Sequence, residues 1–210
     1  MTMIIVENRR LVVLRSVVEL FPISRYGLSR ELSIPTSTVY YEVGRLVKEG
    51  YVVEDKAASL RPSLKGLVRY VELWGCTSAL VSAFRRYIGQ KLGIKVEVDR
   101  KSICEFLERL KGHQEELDDD LLAATLRLLG APISLEKLLS LDRGLVELLA
   151  QIIATQFPAV NFDGHKGIVL IDRSGELWFF GVCQHCKGPL LGRCERLGVV
   201  LKNFIRRGPE

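Results

Sequence analysis

Pro22, Pro35 and Gly50 divide the amino-terminal part of the chain so closely that only short helices fit between them. Val6 to Phe21 carries apolar residues at helical spacing (Leu11, Leu14, Val17, Val18 and Phe21), and Pro22 ends that run. A second helix is predicted over Arg25 to Leu32, with Ser24 as its cap. Ser33-Ile34-Pro35 makes a tight turn, after which Thr36 or Ser37 can cap a third helix running to about Glu49. In that helix Val39, Val43 and Leu46 fall at i, i+4 and i+7 and point inward. Ser37, Tyr40, Tyr41, Gly44, Arg45 and Lys48 are left for solvent. Gly50 is a left-handed stop. Tyr51 to Glu54, a turn over Asp55 to Ala58, and Ser59 to Arg61 make a small β-hairpin.

The run Leu28-Ser29-Arg30-Glu31-Leu32-Ser33-Ile34-Pro35-Thr36-Ser37-Thr38-Val39, continued by Tyr40 to Leu46, Gly50, Tyr51 and Val52, resembles the helix-turn-helix of winged-helix transcription regulators. Leu60-Arg61-Pro62-Ser63-Leu64-Lys65-Gly66-Leu67 is similar to the segment after the wing in the MarR and PadR groups. The resemblance covers residues 8–74 and implies a winged helix that binds double-stranded DNA in transcriptional control. Two features depart from it: Pro35 stands where a capping Ser is more usual, and the wing is short, with one cation at its tip.

Physical chemistry points the same way. A helix fits the major groove, and its amino-terminal side chains meet base edges. By position these are Ser37, Thr38, Tyr40 and Tyr41, while the free helix N–H groups near Thr36 can hold a phosphate. Arg45, Lys48, Lys56 and Arg61 are placed for phosphates, which supply affinity without sequence information. The alternative is a winged-helix adaptor, or a nucleic-acid-binding module, in a replication or basal transcription assembly.

The 210-residue chain carries 30 basic and 25 acidic side chains, a balance that permits a polyanionic partner without requiring one. The basic excess lies at the ends: 11 against 8 in residues 1–74 and 8 against 4 in residues 165–210. No apolar run approaches the ~20 residues of a membrane span. The order of charges at the start does not suit a secretion signal, so a cytoplasmic location and no membrane partner are expected.

Residues 75–164 are almost wholly helical in pattern and are expected to form a helical core and dimerisation domain. Thr77 to Leu92 presents Leu80, Val81, Phe84 and Ile88, either as the seam of a homodimer or as ordinary core. Arg85 and Arg86 fall on its outer face, and Asp99 caps a further helix through Leu110. Asp118 to Asp120 stand at a helix start, where the macrodipole accounts for them. Leu145 to Phe157 is core. Cys76 and Cys104, alone in helical patterns, read as buried hydrophobes. Ser, His and Asp form no catalytic constellation, so no enzymatic activity is expected. A thiol redox enzyme using Cys183 and Cys186 would need a βαβ context that is missing.

Residues 165–210 form a third segment. Gly167 to Ile171 and Glu176 to Val182 are strands joined through Asp172-Arg173-Ser174-Gly175. A turn centred on Arg173 and Ser174 sets position 165 opposite 182, which brings His165 beside Cys183. Cys186 follows in a C-x2-C knuckle and Cys194 comes eight residues later, at the start of a basic last helix over Glu195 to Arg207. His165, Cys183, Cys186 and Cys194 suit a closed tetrahedral zinc site. His185, inside the knuckle, is the less suitable imidazole. A disulfide, free thiols or an iron–sulfur cluster are the alternatives. The expected fold class is mainly α (α+β): an amino-terminal winged helix-turn-helix, then a helical domain with a carboxy-terminal β-hairpin and cysteine cluster.

Overall fold

The computed structural model describes residues 8–93, 98–113, 117, 119–130, 133–194 and 197–198. The fold is mixed α+β, with nine helices and two antiparallel sheets among the described residues. It divides into two compact units, residues 1–120 and 121–210.

Unit 1 opens with α1 (Arg9–Leu20), capped by the Asn8 side chain, then β1 (Ile23–Ser24) and α2 (Arg25–Leu32), where Ser24 accepts the Gly27 N–H. Next come α3 (Thr36–Lys48), β2 (Val52–Glu54), β3 (Ser59–Pro62) and α4 (Leu64–Trp74). The strands pair antiparallel in the order β1-β3-β2, with Ile23 opposite Leu60 and Val53 opposite Arg61. α5 (Ser78–Leu92) and α6 (Arg100–Arg109) complete the unit, capped by Thr77 and Asp99. One apolar cluster (Val13, Leu14, Val17, Leu28, Val39, Val43, Leu46, Val52 and Leu60) ties α1, α2 and α3 to the sheet. Burial of this kind is the main driving force for the fold.

Two anchors hold α4 to the strands. Ser63 Oγ donates to the Gly50 carbonyl at 2.5 Å and accepts the Gly66 N–H at 3.0 Å. At Gly66 an added Cβ would meet the Tyr51 carbonyl oxygen at 2.1 Å, so only glycine fits. Asp119 forms the second anchor: it pairs with Arg61 and Lys91, each at 2.8 Å, and accepts the Leu64 N–H at 3.0 Å.

Several expectations change. Pro35 occupies the cap position of α3 and makes no side-chain cap bond, while the Thr36 hydroxyl instead meets Ser29 Oγ at 3.0 Å. Arg85 and Arg86 are exposed on the outer face as read, and they also donate to the carbonyls of Val98 and Phe21, each far off in sequence. Leu80, Val81, Phe84 and Ile88 are buried within unit 1, so the face offered as a dimer seam is filled by the protomer's own core. Cys76 and Cys104 are half-buried and joined in a disulfide with Cα atoms 5.8 Å apart. A separation of 28 residues hides such a pairing from local pattern.

Unit 2 contains α7 (Leu121–Leu129), α8 (Leu135–Leu139) and α9 (Arg143–Gln156), then β4 (Val160–Phe162), β5 (His165–Ile171), β6 (Leu177–Cys183) and β7 (Gly188–Gly192). The strands form one antiparallel sheet in chain order, a meander rather than a lone hairpin. α9 buries Leu145, Leu148, Leu149, Ile152 and Ile153 and packs against β5, β6 and β7. Gly167 and Gly181 face each other: a Cβ on either would strike backbone at 2.3 or 2.2 Å.

The β5–β6 register is one residue away from the expected one. His165 pairs with Cys183, not with Val182, because the turn holds three residues, with Gly175 at φ +84. The Asp172 carboxylate stabilises it by accepting the N–H groups of Ser174 and Glu176. The boundaries read at 74 and 164 do not coincide with the division at 120. α4 and α6 pack together and α5 packs on α1, while β5 to β7 pack on α9. The last-helix expectation, with Arg196, Lys202, Arg206 and Arg207, lies outside the described residues apart from 197 and 198, which are helical. Asp118 also lies outside them. No helix among the described residues is long and apolar enough to cross a membrane.

Candidate nucleic-acid surface and candidate metal centre

On α3 the sequence pattern and the packing agree face by face. Val39, Val43 and Leu46 are fully buried. Thr36, Ser37, Tyr40, Tyr41, Gly44, Arg45 and Lys48 are exposed, and Thr38 is half-buried. The only carboxylate of the helix, Glu42, is half-buried and stands off this row. Two stacked contacts order the aromatic side chains. The Arg25 guanidinium lies 4.9 Å from the Tyr40 ring centre, and that of Arg45 lies 5.7 Å from the Tyr41 ring centre. Arg25 is itself fixed by two bonds to Glu54, at 2.9 and 2.6 Å. Glu49 is drawn off towards Arg10 at 2.6 Å. The carboxylates of Glu54 and Glu49 are therefore paired, and the exposed side chains from Thr36 to Lys48 are hydroxyls, phenols and cations, with Val47 as the apolar exception.

Lys56 is exposed at the tip of the β2–β3 turn, where Asp55 accepts the N–H groups of Ala57 and Ser59. Arg61 does not join this surface. Its guanidinium is held by Asp119 and sits 5.9 Å from the Tyr87 ring centre, and its other terminal nitrogen is buried. Position in the hairpin suggested a phosphate contact; a carboxylate 58 residues away in sequence took the side chain instead. Arg25, Tyr26 and Arg30 were missed. Arg25 shapes the surface by stacking on Tyr40, and Tyr26 and Arg30 are exposed on α2. Their signal lies in the short second helix, where Leu28 is buried and Tyr26 and Arg30 fall on the solvent side.

The second candidate site is built by turns. Asp163 and Gly164, with φ of 44 and 72, form a two-residue hairpin loop between β4 and β5. This sets His165 as the first residue of β5. Its Nδ1 lies 2.9 Å from the Asp163 carbonyl oxygen. A carbonyl only accepts, so Nδ1 carries the proton and Nε2 presents its lone pair. Nε2 lies 2.9 Å from Cys194 Sγ and 3.3 Å from Cys183 Sγ. His165 and Cys183 are buried, and Phe179 closes one side in a T-shaped contact with the imidazole, 5.3 Å between ring centres. Beyond β7, Cys194 accepts the Gly198 N–H at its carbonyl, the first bond of a helical turn.

His165, Cys183 and Cys194 thus bring their ligand atoms within 4.8 Å of one another and can hold a metal ion. A tetrahedral ion with bonds of about 2.0 Å to nitrogen and 2.3 Å to sulfur separates its ligands by roughly 3.5 Å, close to these distances. The carbonyl behind His165 is the outer-shell partner that metal-bound imidazoles use. The fourth expected ligand, Cys186, is at the rim. It is exposed, its N–H donates to Cys183 Sγ at 3.3 Å, and it stands outside the group whose ligand atoms lie within 4.8 Å of one another. The contact with Cys183, then burial and the adjacent sulfurs, push the Cys186 thiol up to about 11. His185 Nε2 lies 2.9 Å from the Asp163 carbonyl oxygen, and Asp163, His165 and His185 form a second group whose ligand atoms lie within 4.8 Å of one another. Cys183, Cys186 and Cys194 form no disulfide with one another.

Comparison with protein-family models, with characterised proteins and with solved structures returned no match for this chain.

Proposed function

We propose that the chain is a DNA-binding transcriptional regulator whose residues 8–74 act as a winged helix, with α3 entering the major groove of duplex DNA. One observation carries this reading: the solvent-facing row of hydroxyl, phenol and cationic side chains from Thr36 to Lys48, backed by buried Val39, Val43 and Leu46. The order of helices and strands from α1 to β3 supports it, since a helix followed by a turn and a second, exposed helix beside a hairpin suits groove docking. Ser37, Tyr40 and Tyr41 meet base edges, with Tyr40 held by Arg25. Arg45, Lys48 and Lys56 meet phosphates.

A salt series of binding to duplex DNA tests this. Replacing Arg45 and Lys48 together by Ala should lower affinity on all sequences and reduce the salt slope by roughly 2, about one for each lost phosphate contact. Tyr40→Ala should change the ranking of sequences. If the double variant leaves both affinity and slope unchanged, α3 is not the contact surface.

In unit 2 we propose that the ion is zinc, held by His165, Cys183 and Cys194 with Cys186 as fourth ligand. Zinc there supplies a structural cross-link between the open ends of β5 and β6 and the chain after β7. The donor set of one imidazole and three sulfurs supports it. Elemental analysis should return one zinc per chain, lost in Cys183→Ser.

A further inference from the structure

The four ligand side chains are unequally sheltered. His165 is 1% exposed and Cys183 0%, and Cys194 is half-buried. Cys186 alone is exposed, on the β6–β7 turn. It is also tied to one particular neighbour. Its backbone N–H donates to Cys183 Sγ at 3.3 Å. Cys194 Sγ, by contrast, lies 2.9 Å from His165 Nε2. A soluble oxidant therefore reaches Cys186 first, and the sulfur best placed to answer is that of Cys183.

We infer that this centre is a peroxide-responsive switch: a hydroperoxide oxidises Cys186, Cys183 resolves it as a disulfide, and the ion is expelled. The inference rests on the zinc reading above. The Cys186 sulfur attacks one peroxide oxygen; an S–O bond forms, the O–O bond breaks and hydroxide leaves, taking a proton to become water. The Cys183 sulfur then attacks Cys186 Sγ; the S–S bond forms, the S–O bond breaks and a second hydroxide leaves as water. The two thiolates give up two electrons to one peroxide, and two protons are consumed. His165 and Cys194 remain, too few to close a tetrahedral site. Cys183 and Cys186 are three positions apart, joined by a turn whose Gln184 N–H is held by the Gly164 carbonyl at 2.9 Å. The ring that closes is small, and β5 and β6 need not separate to form it.

The full chain is purified under reducing conditions, loaded with zinc and treated with hydrogen peroxide. Zinc release is followed with a chromogenic chelator, and cysteine pairing is followed by peptide mapping after alkylation. The expected result is release in step with a Cys183–Cys186 disulfide, with zinc rebinding after a dithiol reductant. Release from Cys186→Ser should be at least about tenfold slower. A loaded chain that keeps its zinc under peroxide overturns the switch while leaving the metal reading intact. So does equally fast release from Cys186→Ser, or a disulfide that pairs Cys186 with another partner. A chain that takes up no zinc at all overturns both. The mapping of the wild-type chain decides the matter even where Cys186→Ser does not load.

Discussion

In unit 1 the polar cluster around Asp119 contains its own countercharges, since Arg61, Lys91 and the Leu64 N–H satisfy one carboxylate. In unit 2 the cluster around Cys183 contains none among the described residues: an imidazole and two sulfurs, those of Cys183 and Cys194, converge on one another, and each can donate an electron pair. Buried polar groups normally come with partners. A cluster that closes on itself is a strut, while a convergence of donors without a countercharge is a socket for a cation. The same contrast applies to the two sets of cysteines, with Cys76 and Cys104 joined to each other and the unit 2 thiols left apart.

Chelation is the sharpest way to break this contrast. On the zinc proposal, removing the ion should destabilise unit 2 by several kcal/mol, since structural zinc in small modules contributes on the order of 10 kcal/mol. Hydrogen exchange should show lost protection in β5 to β7 and no change in α1 to α6; equal behaviour of the two units refutes the contrast. Gly66→Ala should act in the other direction. With its Cβ at 2.1 Å from the Tyr51 carbonyl oxygen, it should cost unit 1 about 3 kcal/mol. Denaturant melts should show the loss with and without chelator alike.

Asp119→Ala should cost about 2 kcal/mol, because it leaves two cations without their acceptor. The pH dependence follows in sign. Burial opposes ionisation, yet the contacts from Lys91, Arg61 and the Leu64 N–H hold the Asp119 carboxyl below its ordinary range. Its contribution is complete above the unfolded value, near 3.9, and is lost as the pH falls through the lower folded value. Melts between pH 5 and 2 should show an acid limb in the wild type that is shallower in Asp119→Ala. The smallest effect is expected at Gly44, where an added Cβ meets nothing within 4 Å. Gly44→Ala should stabilise unit 1 by about 0.5–1 kcal/mol, and weakened DNA binding in that variant would mark a close approach to the helix there.

The parts legible in the sequence were those that neighbours in the chain decide. The two faces of α3 and the caps Ser24 and Asp99 follow from residues within one or two turns. The meeting of His165 and Cys183 was legible because a hairpin is local; its register slipped because Gly175 lengthens the turn. β4 was missed although Asp163-Gly164 is a strong hairpin signal, because Val160 to Phe162 is short and half polar. The fates of Arg61, Arg85, Arg86, Cys76 and Cys104 depend on partners far away in the chain, and no periodicity reports those.

The facing pair Gly167 and Gly181 has an evolutionary consequence. Each position lacks room for even a methyl group because of the strand opposite, so neither can drift first and let the other compensate. Descendants of this chain that keep the β5–β6 ladder will retain both residues unchanged. An alignment would show two invariant columns beside the candidate metal ligands. That invariance would record the spacing of two backbones, and a reader seeking chemistry there would be misled.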